Sequence, residues 1–485
     1  LAIWQLINVN PLPSLSMSTT PEASPAPSTP DQNGDQSMSK TIEWNPESWR
    51  NLIAKQQPIY TDQAKLDDVL GRLATLPPLV TSWEIENLKK NLADAAEGKL
   101  FVIQGGDCSE NLDECSTESI VRNLKVLMQM SLVLMYRSMK PVVRIGRVAG
   151  QYAKPRSKDT ETRDGVTLPV YRGDIINRSG FTEQERMADP DLLMKGYERS
   201  ALTLNFIRAL CAGGFADLHH PENWDLGYFS TSTESNRYQE LVHSIGEALQ
   251  FMETVANASI SQLESVDLFT SHEGLHLTYE QSLTRQVPRR DGWYNLSTHF
   301  PWIGDRTRDL DGAHIEYFRG IKNPIGLKVG PTMKTDELKK VCDVLNPENE
   351  SGRLMLIHRF GVEKIGEHLP RLIQAIKSSG QNVVWCSDPM HGNTFSTSEG
   401  IKTRHVDQIQ KELLSGFEIH RAEGSVLAAA HLELTGDNVT ECVGGARDLK
   451  ESDLSRAYKS QVDPRLNYEQ AMEMSFMIAE QIQKQ

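Results

Sequence analysis

Eight times along this sequence a brief apolar run gives way at once to a cluster of polar, reactive side chains. From residue 99 onward the runs are expected as strands at 100–104, 141–145, 266–270, 294–299, 325–329, 353–357, 382–386 and 426–432. Helical periodicity fills most of the intervals, at 117–139, 236–257, 334–345, 361–378 and 404–415, with Gly380 and Gly416 as stop signals. Several strand starts lie about 29 residues apart, the length of one βα unit. Repeated units of this kind build a parallel sheet. With charged clusters after nearly every strand, an α/β fold closed into a (β/α)8 barrel is expected, because all its βα loops open on one face. An open doubly wound sheet would gather ligands at one switch point and leave several clusters without a role.

The interval 147–265 then reads as an enlarged connection after the second barrel strand, with helices at about 187–213 and 236–257. Ahead of the barrel (99–485), residues 41–98 read as a helical extension, in which Thr81-Ser-Trp-Glu84 has capping-box spacing and Gly98 is a stop. Residues 1–40 are rich in Ser, Pro and Thr and are expected to be disordered. Since the sequence opens on Leu1, Met17 and Met38 are the candidate starts.

A formal charge of −14 over 485 residues excludes the basic footprint of a nonspecific nucleic-acid binder. No apolar run reaches the roughly 20 residues of a membrane helix. Six cysteines without a CxxC pair indicate a reduced compartment, and no Lys or Arg occurs before Lys40 to mark a leader. The cytosol (a cytoplasmic location) is the expected compartment.

Against this acidic background the cations are concentrated locally. Arg147, Lys154, Arg156 and Ser157 follow the second strand among glycines and a proline, and Arg306, Lys328 and Arg359 end the fourth, fifth and sixth. A solvated charge run is the plainer explanation of any one of them. Three on successive strand ends favour a pocket for a multiply charged anion, phosphate plus carboxylate. Cys108, His391, Glu433 and Asp463 offer mixed S, N and O donors, which suit Mn, Fe, Co or Zn better than Mg or Ca. Spacing alone does not single these four out, since a strand-end His or Glu serves equally well as a structural hydrogen-bonding group. Glu273, in Ser271-His-Glu-Gly274, could relay a proton or orient a substrate; second-shell hydrogen bonding accounts for it equally.

At these motifs the sequence resembles the type II (plant-like) 3-deoxy-D-arabino-heptulosonate-7-phosphate (DAHP) synthases. The matching segments are Gln104 to Glu110, Arg144 to Ser157, Ser271 to Gly274, Ser297 to Arg306, Gly326 to Pro331, Asp388 to Thr394, His431 to Cys442 and Asp463 to Asn467. The resemblance implies condensation of phosphoenolpyruvate with erythrose 4-phosphate, the first step of the shikimate pathway. It implies one divalent metal ion on Cys108, His391, Glu433 and Asp463, manganese first, with cobalt, iron or zinc as alternatives. It assigns phosphoenolpyruvate to Arg147, the backbone at Asp305, Arg306, Lys328 and Arg359, and erythrose 4-phosphate to Lys154, Arg156 and Ser157. It also implies a homodimer or larger homo-oligomer and an aromatic amino acid effector. Some relatives carry Cys before the last metal ligand; Val462 stands there in this chain, so no disulfide with Cys108 is expected. Two other readings are a different metal-dependent synthase joining phosphoenolpyruvate to another sugar phosphate, and a catalytically silent barrel that binds phosphorylated metabolites.

Overall fold

Strands form where aliphatic residues run uninterrupted, because a parallel strand in a barrel is covered on both faces. The computed structural model describes residues 43–212, 214–216, 224, 236–244 and 266–485. In it β1 (Phe101–Gly106), β2 (Val142–Arg147), β3 (Leu268–Glu273), β4 (Phe300–Ile303), β5 (Ile325–Val329), β6 (Leu354–His358), β7 (Val384–Ser387) and β8 (Leu427–Glu433) close into a ring. Each strand pairs in parallel with its neighbours in sequence. Closure is by β1 against β8, in register from Val102↔Ala429 to Gly106↔Glu433.

Apart from the short helices Glu183–Arg186 and Leu277–Ser282 and the stretch 236–244, the α-helices among the described residues are, in chain order, α1 (Gln63–Thr75), α2 (Ser82–Ala96), α3 (Thr117–Ser138), α4 (Asp191–Ala212), α5 (Ala313–Gly320), α6 (Thr335–Leu345), α7 (Ile365–Ser379), α8 (Val406–Ala422) and α9 (Tyr468–Ile482). Residues Trp44–Gln485 form one compact unit. Within it α2 stops the N-terminal end of the barrel: Leu88, Leu92 and Ala95 join Val102, Val143, Phe269, Met355 and Val384 in one buried cluster. Its first turn is fixed by the capping box, Thr81 N donating to Glu84 Oε2 at 2.8 Å and Glu84 N to Thr81 Oγ1 at 3.3 Å. With its lower end plugged by apolar side chains, the barrel opens at its C-terminal mouth.

Two expectations need correction. The fourth barrel strand is Phe300–Ile303, not 294–299. Residues Trp293–Asn295 instead pair antiparallel with Thr284–Gln286. Between the two, polar side chains occupy the backbone groups: Asn323 Oδ1 takes the Asn295 N–H (2.9 Å), and Asn295 Oδ1 takes the Ser297 N–H (2.9 Å). Pro301 disguised the true strand, since a proline lacks the ladder donor and ordinarily argues against a central strand. Gly416 does not stop α8, which runs on to Ala422. Gly424, with φ +60°, is the left-handed residue beyond its end.

Gly380 does close α7, at φ +69°. Helices α5 and α9 and three two-stranded hairpins were not anticipated. Residues 236–244 are helical as expected. The rest of that expected helix and the expected tail 1–40 lie outside the described residues.

Candidate active site

Every barrel strand ends at the same mouth, so the side chains just past those ends meet across a cleft of about 350 Å³. Gly106 ends β1, and Cys108 follows, buried. Glu433 is the last residue of β8, fully buried, so barrel closure brings these two together across most of the chain. Asp463 arrives from the segment leading to α9, its Oδ2 lying 3.7 Å from Cys108 Sγ. Cys108, Glu433 and Asp463 present donor atoms within 4.8 Å of one another, a geometry that could hold a metal ion. His391, past β7, sets Nε2 3.0 Å from Glu433 Oε1. The structure therefore groups three of the four residues named from the sequence, and sets the fourth, His391, against Glu433.

The electrostatics favour a cation here. Burial, and then the Glu433 carboxylate, push the Cys108 thiol up to about 12. Such a thiol becomes a ligand only when a cation displaces its proton. Burial works against ionisation of Glu433 as well, yet His391, Lys154, Arg404 and Arg147 hold it well below the usual carboxylate range. The donor set fits a borderline divalent ion: one sulfur, one imidazole nitrogen and two carboxylates.

Several residues that sequence reasoning passed over support this set. Asp388 Oδ2 meets His391 Nδ1 at 2.7 Å, fixing the ring so that Nε2 faces Glu433. The same carboxylate pairs with Lys328. Burial opposes its charge, but His391 and Lys328 keep it well below the ordinary range. Asp388 stood in a quoted motif, three residues before His391, which was its only signal. The hairpin Thr394–Ser396/Lys402–Arg404 adds two cations. Arg404 lies 2.8 Å from Glu433 Oε2 and donates to the Pro464 carbonyl, while Lys402 Nζ lies 3.0 Å from Asp463 Oδ1.

The anion-binding candidates divide into two groups. Arg147 is buried and already engaged, donating to Glu433 Oε1 (2.9 Å) and to the carbonyls of Asp107 (2.9 Å) and Cys108 (3.1 Å). Trp302 stacks under its guanidinium at 5.2 Å. Burial lowers the Lys328 ammonium in spite of Asp388. Arg359 bridges Asp305 Oδ2 (3.2 Å) and the His391 carbonyl (3.1 Å). Here Asp305 uses its side chain, where only its backbone was expected to matter.

On the other side Arg306, exposed, donates to Ser157 Oγ at 2.8 Å. Arg156 lines the cleft with Nη1 buried and without a hydrogen-bond partner among the described residues. Lys154 stands apart from these two: its Nζ sits 3.0 Å from Glu433 Oε1, 3.4 Å from Asp463 Oδ2 and 3.3 Å from the Cys108 carbonyl. It lies with the metal-type donors.

Glu273, at the end of β3, faces the cleft. Burial raises its carboxyl against the pull of Lys154 and Lys328, and Oε1 has no partner among the described residues. Gly304 makes room for it, since a Cβ there would lie 2.0 Å from Glu273 Oε1. Val462 packs with Tyr171 against Cys108, so an aliphatic side chain occupies the position next to the thiol.

Residues 44–479 match the class-II DAHP synthetase family. A phospho-2-dehydro-3-deoxyheptonate aldolase of Neurospora crassa is 48% identical over 453 residues, covering 90% of this chain and 94% of that protein. Proteins of the same name from Streptomyces coelicolor (45% identity, 90% and 97% covered) and Mycolicibacterium smegmatis (42%, 88% and 92%) are similar at comparable length. With the match spanning the barrel and every residue of the cleft, the chain belongs to the class-II DAHP synthetase family.

Proposed function

We propose that the chain condenses phosphoenolpyruvate with D-erythrose 4-phosphate and water to give DAHP and inorganic phosphate, the entry reaction of the shikimate pathway. The observation that carries this reading is the meeting of a mixed S, N and O donor set with eight lysine and arginine side chains in one cleft. It is supported by family membership over nearly the whole chain.

A divalent ion held by Cys108, His391, Glu433 and Asp463, manganese first and cobalt, iron or zinc as competitors, supplies Lewis-acid polarisation of the aldehyde. The chain's own residues do the rest. Lys328, Arg359, Arg147 and Arg306, with the backbone at Asp305, offset the phosphate and carboxylate charges of phosphoenolpyruvate. Lys154, Arg156 and Ser157 hold the sugar phosphate, so that two anions approach within reacting distance despite repulsion. C3 of the enol then bonds to the aldehyde carbon, and water adds at C2. The C2–O bond to phosphate breaks, releasing inorganic phosphate. Glu273, whose carboxyl burial raises, lines the cleft where it can give a proton to the aldehyde oxygen as that becomes a hydroxyl.

The test is phosphate release from purified protein given both substrates and Mn²⁺, with and without EDTA, the product being checked by mass. Release that needs both substrates and stops on chelation is expected. Activity with a different aldose phosphate only would point to another metal-dependent synthase joining phosphoenolpyruvate to a sugar phosphate, and none with any metal to a silent binder. Family membership also supports a homo-oligomer and an aromatic effector. Light scattering, and the same assay with Phe, Tyr and Trp added, address those.

A further inference from the structure

The segment Ile53–Gln57, ahead of α1, runs across the mouth of the barrel and not away from it. Its near end is tied to the start of α5: Ala313 N donates to the Ile53 carbonyl at 3.1 Å, and Ile53 bridges Gly312. Its far end carries two adjacent glutamines, each clasping the backbone of a different active-site loop. Gln56 Oε1 accepts from Arg156 N at 2.8 Å, and Gln56 Nε2 donates to the Arg156 carbonyl at 3.1 Å. Gln57 Oε1 accepts from Leu277 N (3.0 Å) and its Nε2 donates to the Leu275 carbonyl (2.7 Å), just beyond Glu273.

A side-chain amide satisfying both N–H and C=O of one residue copies a strand pairing and fixes that residue's backbone. Arg172 adds a third contact, Nη1 to Gln56 Oε1 at 3.1 Å, and the Arg172 carbonyl accepts from Lys154 N at 2.8 Å. Gln56 itself is held at φ +63°, in the left-handed region that a residue with a Cβ seldom adopts. A non-glycine kept there, in a segment tied at both ends, indicates that the side chain is worth the local strain. What it fixes is Arg156, whose Nη1 is buried at the cleft with no protein partner among the described residues.

We propose that Gln56 is a positioning residue for the second substrate, its amide clasp holding Arg156 so that the guanidinium meets the phosphate of the aldose. The inference rests on the reading under Proposed function. It makes part of the N-terminal segment a piece of the sugar-phosphate subsite. Gln56 touches no reacting atom, and phosphoenolpyruvate is gripped by residues it does not contact.

Steady-state kinetics of the full chain with Mn²⁺ test this, varying each substrate in turn. Gln56→Met keeps the volume and loses the two bonds to Arg156 and the one from Arg172; Gln56→Gly loses the side chain and relieves the left-handed strain. Both should raise KM for erythrose 4-phosphate about tenfold, the scale of one or two net hydrogen bonds. Their kcat and KM for phosphoenolpyruvate should stay within about twofold of wild type. An unchanged KM for the aldose in either folded variant would overturn the proposal. So would equal losses toward both substrates with a lowered Tm, or failure of both variants to fold, since each marks a purely structural clasp. A wild-type protein inactive with both substrates would take down the functional reading and this one with it. An active wild type with indistinguishable variants sinks this one alone.

Discussion

Single residues in the cleft are held by contacts that leave little slack, and their substitution should be read in chemistry before stability. Gly304→Ala would thrust a methyl group at Glu273 Oε1. We expect kcat to fall about 100-fold or more, the cost of misplacing a reacting group by an ångström. Circular dichroism should meanwhile show an unchanged fold. Asp388→Asn would strip His391 of its carboxylate and Lys328 of its counter-ion. Mn²⁺ affinity, followed by titration calorimetry, should drop about 10–100-fold.

Legibility at this scale depended on whether a residue's role shows in its own neighbourhood. Arg306, Lys328 and Arg359 were visible because each follows an apolar run. Cys108 and Glu433 were not connected by spacing, since their meeting is a product of barrel closure; the family resemblance supplied that link. Lys154 shows the limit from the other side. Its sequence neighbours Arg156 and Ser157 line the cleft beside Arg306, while its own long side chain reaches Glu433 and Asp463.

Elements were legible wherever pattern and burial agreed. Seven of the eight expected strands lie on or within two residues of a barrel strand, because a fully covered parallel strand needs an unbroken apolar run. The fourth was missed where Pro301 broke the rule, and α8 was cut short because Gly416 looked like an end. Well before Gly416, α8 sets Glu412 beneath two active-site turns. Glu412 Oε1 accepts from Phe360 N and Gly361 N, each at 3.0 Å, and Oε2 from Asn393 Nδ2 at 2.6 Å. Burial raises this carboxyl to about 7 against the pull of the two amides, and the Asp388 charge adds to the rise.

A folded-state value above the ordinary 4.5 means that the group's stabilising contribution is full below pH 4.5. It is lost as pH climbs through 7. Glu412→Gln cannot titrate. Urea unfolding of the two proteins should therefore show the wild type's advantage shrinking by about 3 kcal/mol between pH 4.5 and 8. A gap independent of pH would contradict the assignment.

For the whole molecule, a ligand that binds only the folded chain must stabilise it. Mn²⁺ at 100 times its dissociation constant should add about 2.7 kcal/mol to unfolding, seen as a rise in Tm that EDTA reverses. Cys108→Ala should abolish most of that shift. A shift equal in wild type and variant would place the ion elsewhere.

Because β1, paired with β2 on one side, gains its second partner only in β8, the chemistry of this protein depends on nearly its whole length. A nascent chain presents Cys108 early and must wait for more than three hundred further residues before Glu433 and Asp463 emerge from the ribosome. We expect no shortened product to work at partial strength: a premature stop codon anywhere before Asp463 removes at least that companion of the thiol, and α9 with it. To a geneticist such alleles would all look alike, as complete nulls, whether the stop falls at residue 150 or at residue 450.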